Sequence, residues 1–135
     1  MALNLDMSLS QYEPWTITKT LEESDCGFQF LLPKDLMKTY ILPEMASDTV
    51  NPITASQILN ETVFVEVCDV ATNTDYTMRL TQTPGPVGYE RHGSYYFRHN
   101  WGVLVRAKGL KPGDEIGLCW DKWNHKFMFH VITVA

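Results

Sequence analysis

Apolar residues recur along this chain with two periods, and the switches between them mark its elements. Alternation comes first. From Pro14, Trp15, Ile17 and Lys19 face one way and Thr16, Thr18 and Thr20 the other, a β-branched and aromatic pattern that predicts a strand. A polar loop, Glu22 to Gly27, leads to a second apolar run, Phe28 to Leu32. Pro33 suits a first helical position, with Asp35 in the first turn. Leu36, Met37, Tyr40 and Ile41 then form a helical stripe that Pro43 is expected to end. Residues 44–60 read as a long loop, in which Thr54-Ala55-Ser56-Gln57 has the spacing of a capping box for one helical turn. Alternation returns at 61–69, with Val63, Val65 and Val67 on one face. After a turn at Ala71–Thr74, Asp75 to Thr81 is the returning strand of a hairpin. Gln82 to Gly93 carries two Pro and three Gly, which excludes regular structure, and Ser94 to His99 is another strand.

The most completely specified stretch is Asn100 to Asp121. Asn100 is an expected N-cap whose side-chain oxygen accepts from the first turn. Trp101, Leu104, Val105 and Lys108 fall at helical spacing. Gly109 supplies a left-handed stop, and Leu110 folds back on Val105 as in a Schellman motif. Lys111-Pro112-Gly113-Asp114 suits a type II turn. Ile116, Leu118 and Trp120 then alternate as a strand, and Lys126 to Val134, apolar on both faces, is expected to be a last strand buried on both sides. Seven strands, two short helices, no internal repeat and no βαβ alternation predict a mostly β domain built as an open or closed barrel.

The length, 135 residues, suits one domain over 14–135 with a mobile tail at 1–13, and a 44% apolar composition supports a real core. Three cysteines, Cys26, Cys68 and Cys119, are odd in number and far apart. They read as reduced intracellular thiols, not a disulfide framework or zinc site. His92, His99, His125 and His130 lack ligand spacing, so no metal or cofactor is expected. No triad order, phosphate loop or acid pair stands out, so no catalytic residue is assigned and the chain reads as a non-enzyme. No run approaches a membrane span or a signal peptide. The net charge of −5 is uneven: residues 1–78 hold three basic and twelve acidic residues, and residues 79–135 hold eight basic and four acidic. The basic second half is compatible with a local polyanion site or with uneven surface charge alone.

The order of motifs resembles the plant-specific B3 DNA-binding domain. The matching pieces are Lys19-Thr20-Leu21 with Ser24-Asp25, Leu32-Pro33-Lys34, Ile41-Leu42-Pro43 and, most specifically, Trp101 through Asp121 with its Gly-Asp-Glu-Ile-Gly-Leu run. The resemblance covers Trp15 to Ile132. It implies a seven-stranded open β-barrel, a DNA-binding pseudobarrel with two short α-helices, related to the DNA-recognition domain of some restriction endonucleases. It also implies that double-stranded DNA is held by its major groove between two loop arms, here Lys19 to Gln29 and Arg79 to Tyr96, in a transcription regulator of the nucleus.

The residues of the second arm suit that chemistry on their own account. Arg79, Arg91 and Arg98 offer planar forks to phosphate or guanine, Gln82 can pair with adenine, His92 stands with Arg91 at a loop tip, and Ser94, Tyr95 and Tyr96 offer hydroxyls to phosphate. Their competing reading is structural, with a Tyr in the core and Arg98 solvated. In the first arm the candidates are Lys19, Ser24, Gly27 and Gln29. That arm departs from the family, which carries Lys, Arg or Asn there, because Glu22, Glu23 and Asp25 outnumber Lys19. Two functions therefore compete: sequence-specific DNA binding, and a B3-like barrel that has lost most DNA affinity and serves protein partners of a transcription complex. A small-molecule or membrane role has no residue-level support.

Overall fold

The computed structural model describes residues 15–83 and 93–135, so the tail expected at 1–13 lies outside the described residues. Seven strands form one curled sheet: β1 (Ile17–Thr20), β2 (Phe30–Leu32), β3 (Val63–Asp69), β4 (Thr74–Gln82), β5 (Tyr95–His99), β6 (Glu115–Asp121) and β7 (Lys126–Thr133). Their order across the sheet is β1-β6-β7-β3-β4-β5-β2. Neighbours are antiparallel except β3 and β7, which run parallel through Val67↔Phe127 and Cys68↔Met128. The mostly β half-barrel read from the sequence is the observed architecture.

The concave face carries the alternating apolar set. Ile17, Val67, Met78, Leu80, Phe97, Ile116, Leu118, Phe127 and Phe129 are all buried. An aromatic cluster occupies the centre, with Phe30 against Trp101 at 4.6 Å between ring centroids, Phe97 edge-on to Phe127 at 5.0 Å and Trp101 edge-on to Phe129 at 6.2 Å. Burying such rings supplies most of the driving force for closing the sheet around them.

The helices differ from the sequence reading in informative ways. Helix α1 begins at Lys34–Leu36, widens into a π turn at Met37–Ile41 and continues through Leu42–Ala46. Pro43 therefore does not end it. The wide turn, in which the Leu42 N–H reaches the Met37 carbonyl, resets the ladder where Pro43 has no N–H to give. The capping box at Thr54 and Gln57 does form, through Thr54 N–H to Gln57 Oε1 at 2.7 Å and Gln57 N–H to Thr54 Oγ1 at 3.2 Å, and it starts α2 (Ala55–Asn60). Helix α3 (Trp101–Lys108) stops as expected: Gly109 has φ 62°, and Leu110 N–H reaches the Val105 carbonyl at 3.0 Å. Its start is different. Asn100 makes no side-chain cap; its Nδ2 donates to the Thr77 carbonyl at 2.9 Å and ties the helix to β4.

Strand β7 is also corrected. Phe127 and Phe129 are buried, but Met128 and His130 on the other face are only half-buried. Part of that outer face is covered by Trp15. A bend at Thr16 turns Trp15 away from the face that Ile17 occupies, and its ring stacks on His130 at 5.7 Å. Gly117 makes room: a Cβ there would lie 2.5 Å from Trp15 Cγ.

The half-barrel has an open seam between its terminal strands, and the first arm spans it. Lys19 on β1 sends its ammonium to the Leu31 carbonyl on β2 at 2.8 Å and to Asp25 Oδ1 at 3.0 Å. The Asp25 side chain is 2% exposed and also accepts from the N–H groups of Leu31, at 3.2 Å, and Glu22, at 2.9 Å. Trp101 Nε1 donates to the Asp25 backbone carbonyl at 2.7 Å, so helix α3 is tied to the same point. At the base of the arm Asp114 has the same kind of role. Its carboxylate accepts from the N–H of Lys111 and of Ala135, while its backbone extends the ladder to Leu21.

Two expectations follow. Asp25→Ala leaves a half-buried ammonium without its counter-ion and two N–H groups unmatched and should cost about 3 kcal/mol in urea unfolding, against a smaller loss for Lys19→Met; a loss of under about 1 kcal/mol would show that the seam does not depend on this residue. The Ala135 N–H first, then the Lys111 N–H, hold the Asp114 carboxyl below the usual aspartate range. A lowered folded pKa contributes stability above the unfolded value of about 3.9 that is lost as pH falls further. Asp114→Asn should therefore flatten the acid limb of a stability–pH profile below about pH 4, leaving its neutral limb parallel to wild type.

Candidate nucleic-acid interface

Side chains alternate across β4 and β5, so the residues that do not point into the core form a patch on the outside. In register, Arg79 lies opposite Arg98 and Thr81 opposite Tyr96. Leu31 on β2 is opposite Tyr96, and Phe64 on β3 is opposite Arg79. Leu31 and Phe64 are exposed, Tyr96 and Arg98 half-buried, and Arg79 exposed. Like charges directly opposed on neighbouring strands disfavour folding. Neither arginine forms an ion pair among the described residues. The acids on this face of β3 and β4 are engaged elsewhere: Glu66 accepts from the Thr77 hydroxyl, and Asp75 pairs with Lys126. An anion from outside the chain would satisfy both guanidiniums.

The patch joins the two arms. Arg98 Nε donates to Gln29 Oε1 at 3.1 Å, and its guanidinium lies 5.3 Å from the Tyr96 ring centroid. Gln29 closes the first arm. Ser94, just before β5 in the second arm, stands four residues before Arg98, about 13 Å along the extended chain. Both arms therefore border one strip of the outer sheet.

The structure sorts the candidates read from the sequence. Ser24 and Gly27 are exposed, Ser24 in a 3-10 turn over Glu23–Cys26. Gln29, Ser94, Tyr96 and Arg98 are half-buried and Arg79 is exposed. Two candidates are turned inward. Lys19 is held by Asp25 and Leu31 at the seam. Gln82 is 5% exposed and donates to the Gly93 carbonyl at 3.1 Å, which closes the base of the loop and leaves no amide edge for a base. Ser94 is tied to Thr83 through its own N–H and carbonyl. Arg91 and His92 lie outside the described residues. Sequence reasoning missed Phe28, which is 79% exposed at the tip of the first arm instead of starting β2.

The charge asymmetry resolves into two populations. Three of the four lysines of the second half pair with acids inside the fold: Lys108 with Asp69 at 3.1 Å, Lys126 with Asp75 at 3.2 Å and Lys111 with Asp114 at 3.1 Å; Lys122 lies over the Trp123 ring instead. Arg79, Arg98 and Arg106 make no such pair among the described residues. Among those residues no group of three His, Cys, Asp or Glu could hold a metal. Burial raises the thiol pKa of Cys26 and of Cys68, so neither is an activated thiolate.

Comparison with known proteins defines the class first. The fold superposes on the Arabidopsis FUS3–DNA complex with a TM-score of 0.63 at 17% identity, covering 89% of this chain and 98% of that one. It superposes on the Arabidopsis thaliana transcription factor LEC2–DNA complex with a TM-score of 0.62 at 18% identity, covering 87% and 92%. At that identity the likeness establishes the pseudobarrel fold. Residues 15–132 match the family model for the C-terminal domain of the B3 domain-containing protein At5g26805. The chain is 41% identical over 133 residues to the B3 domain-containing protein At1g10455 of Arabidopsis thaliana, covering 94% of this chain and 78% of that protein. It is 35% identical to the putative B3 domain-containing protein At1g51970 of the same plant, covering 97% of each. The chain belongs to the B3 domain family.

Proposed function

We propose that this chain binds double-stranded DNA sequence-specifically as a nuclear transcription regulator, without catalysis, holding the major groove between its two arms. The observation that carries this reading is the registered pair Arg79 and Arg98 on the outer sheet, free of acid partners among the described residues and linked through Gln29 to the first arm. A guanidinium fork matches both a phosphate and the O6/N7 edge of guanine. Gln29 and the Tyr96 ring fix the plane of Arg98, which lowers the entropy lost on contact. Ser24, Ser94 and Tyr96 supply hydroxyls for phosphate oxygens, and Arg91 and His92 are further candidate contacts of the second arm by residue type. The likeness in fold to FUS3 and LEC2, each in complex with DNA, supports DNA as the partner.

A second reading has its own support. Glu22 and Glu23 are exposed in the first arm, and the lysine beside them is neutralised by Asp25. An arm with net negative charge suits a protein partner better than phosphate.

Selection from a random duplex library decides between them. Binding is expected at about 50 mM salt and should fall several-fold by about 150 mM, with a modest counterion slope; no binding at either salt leaves the protein-interaction module. Arg98→Ala should weaken binding to the selected duplex about tenfold. Glu22→Lys with Glu23→Lys should raise affinity for all duplexes alike, read by fluorescence anisotropy on selected and scrambled sequences. Unchanged affinity after that reversal would show that the first arm stays off the DNA.

A further inference from the structure

The first arm lacks a usable cation of its own, yet one is delivered to it by helix α3. Gly102 in the first turn of that helix has no side chain, and the arm packs into the space. The Gly27 carbonyl lies 3.5 Å, and Phe28 Cα 3.7 Å, from where a Gly102 Cβ would sit. Arg106, one turn further on, folds its Nη1 back to 3.5 Å from the same point. Arg106 is exposed and makes no ion pair among the described residues. Its guanidinium therefore flanks the tip of the arm, beside the Gly27 backbone. The tip itself is apolar. Phe28 is 79% exposed, far above the half-exposed Phe64, and Val103 on the neighbouring helix is 43% exposed.

An exposed aromatic side chain whose backbone packs on a helix, with a guanidinium close to that backbone, has a defined complement on a duplex. The C5-methyl of thymine is the apolar group that the major groove offers, and the phosphate nearest it carries the charge. We propose that Phe28 packs against a thymine methyl and that Arg106 holds the adjoining phosphate, so that helix α3 supplies the charge the first arm is missing. This rests on the duplex-binding reading above. It adds a base preference at Phe28, a first-arm residue not among the candidates read from the sequence, and a phosphate contact at Arg106 that lies outside both arms. Glu22 and Glu23, on the preceding turn, then act against phosphates the arm would otherwise meet and leave the Arg106 contact dominant.

The test uses the full chain, the duplex selected for the wild-type protein, and the same duplex with every thymine replaced by deoxyuridine, which lacks the methyl. Wild type should bind the deoxyuridine duplex about five- to tenfold more weakly. Phe28→Ala should bind both duplexes equally, with the wild-type salt slope. Arg106→Gln should lose several-fold on every duplex and lower the salt slope by about one, while keeping the methyl preference. Both residues are exposed, so unfolding midpoints should match wild type. If wild type binds duplexes but ignores the methyl, or the two variants behave as wild type, this inference is overturned while duplex binding stands. If wild type binds no duplex, the parent reading fails, and this one with it.

Discussion

One ammonium group holds the open side of this barrel together. Lys19 reaches from the first strand of the sheet to the Leu31 carbonyl on the last, and Asp25 neutralises it from the loop between them. A curled sheet that does not close leaves unpaired edges, and edges invite pairing with other chains. Here the edge strands are only four and three residues long, and a charged side chain replaces the missing ladder between them. Because Asp25 also collects the N–H groups of Glu22 and Leu31, and its own carbonyl takes the Trp101 indole, the arm, the seam and helix α3 are fixed by one residue. The shape of the first arm thus follows from the closure of the barrel.

That linkage explains how an acidic protein can present a cationic surface. Lys19, Lys108, Lys111 and Lys126 are placed where they meet the carboxylates of Asp25, Asp69, Asp114 and Asp75, and two of those pairings join acids from the first half of the chain to bases from the second. Arg79, Arg98 and Arg106, on β4, β5 and α3, project into solvent or against neutral groups. Arginine remains charged when partly desolvated and its fork is rigid, so it suits a contact made intermittently with an outside anion. The net charge of −5 therefore says little about the local field over β4 and β5.

Most of the elements were legible before any coordinates. The type II turn at Lys111–Asp114 appears with Gly113 at φ 94°, the helix stop at Gly109 with its Leu110 bond, and the capping box at Thr54, because each depends on chemistry within a few residues. The errors share one cause. Pro43 was read as a terminator because local rules weigh its missing N–H, and a π turn upstream absorbed the defect. Asn100 was read as a cap, and a carbonyl 23 residues away took its amide. Lys19 and Gln82 were read as DNA contacts because their residue types favour nucleic acid, whereas both are claimed by carbonyls in the fold.

Taken alone, the order of residues determined the strand count, the helix stop, the tight turns and the family, since these rest on periodicity and on the backbone preferences of Gly and Pro. Tertiary structure alone decided which cations are free. Whether a lysine or arginine meets a carboxylate depends on strand register and on the curl of the sheet, and these set distances between residues far apart in the chain, as with Lys108 and Asp69 or Lys126 and Asp75. It also brought Arg106 and Phe28 side by side, through a glycine whose only contribution is the side chain it lacks. Coulomb energy and contact depend on distance in space, and the chain's order does not carry that distance until the barrel has closed.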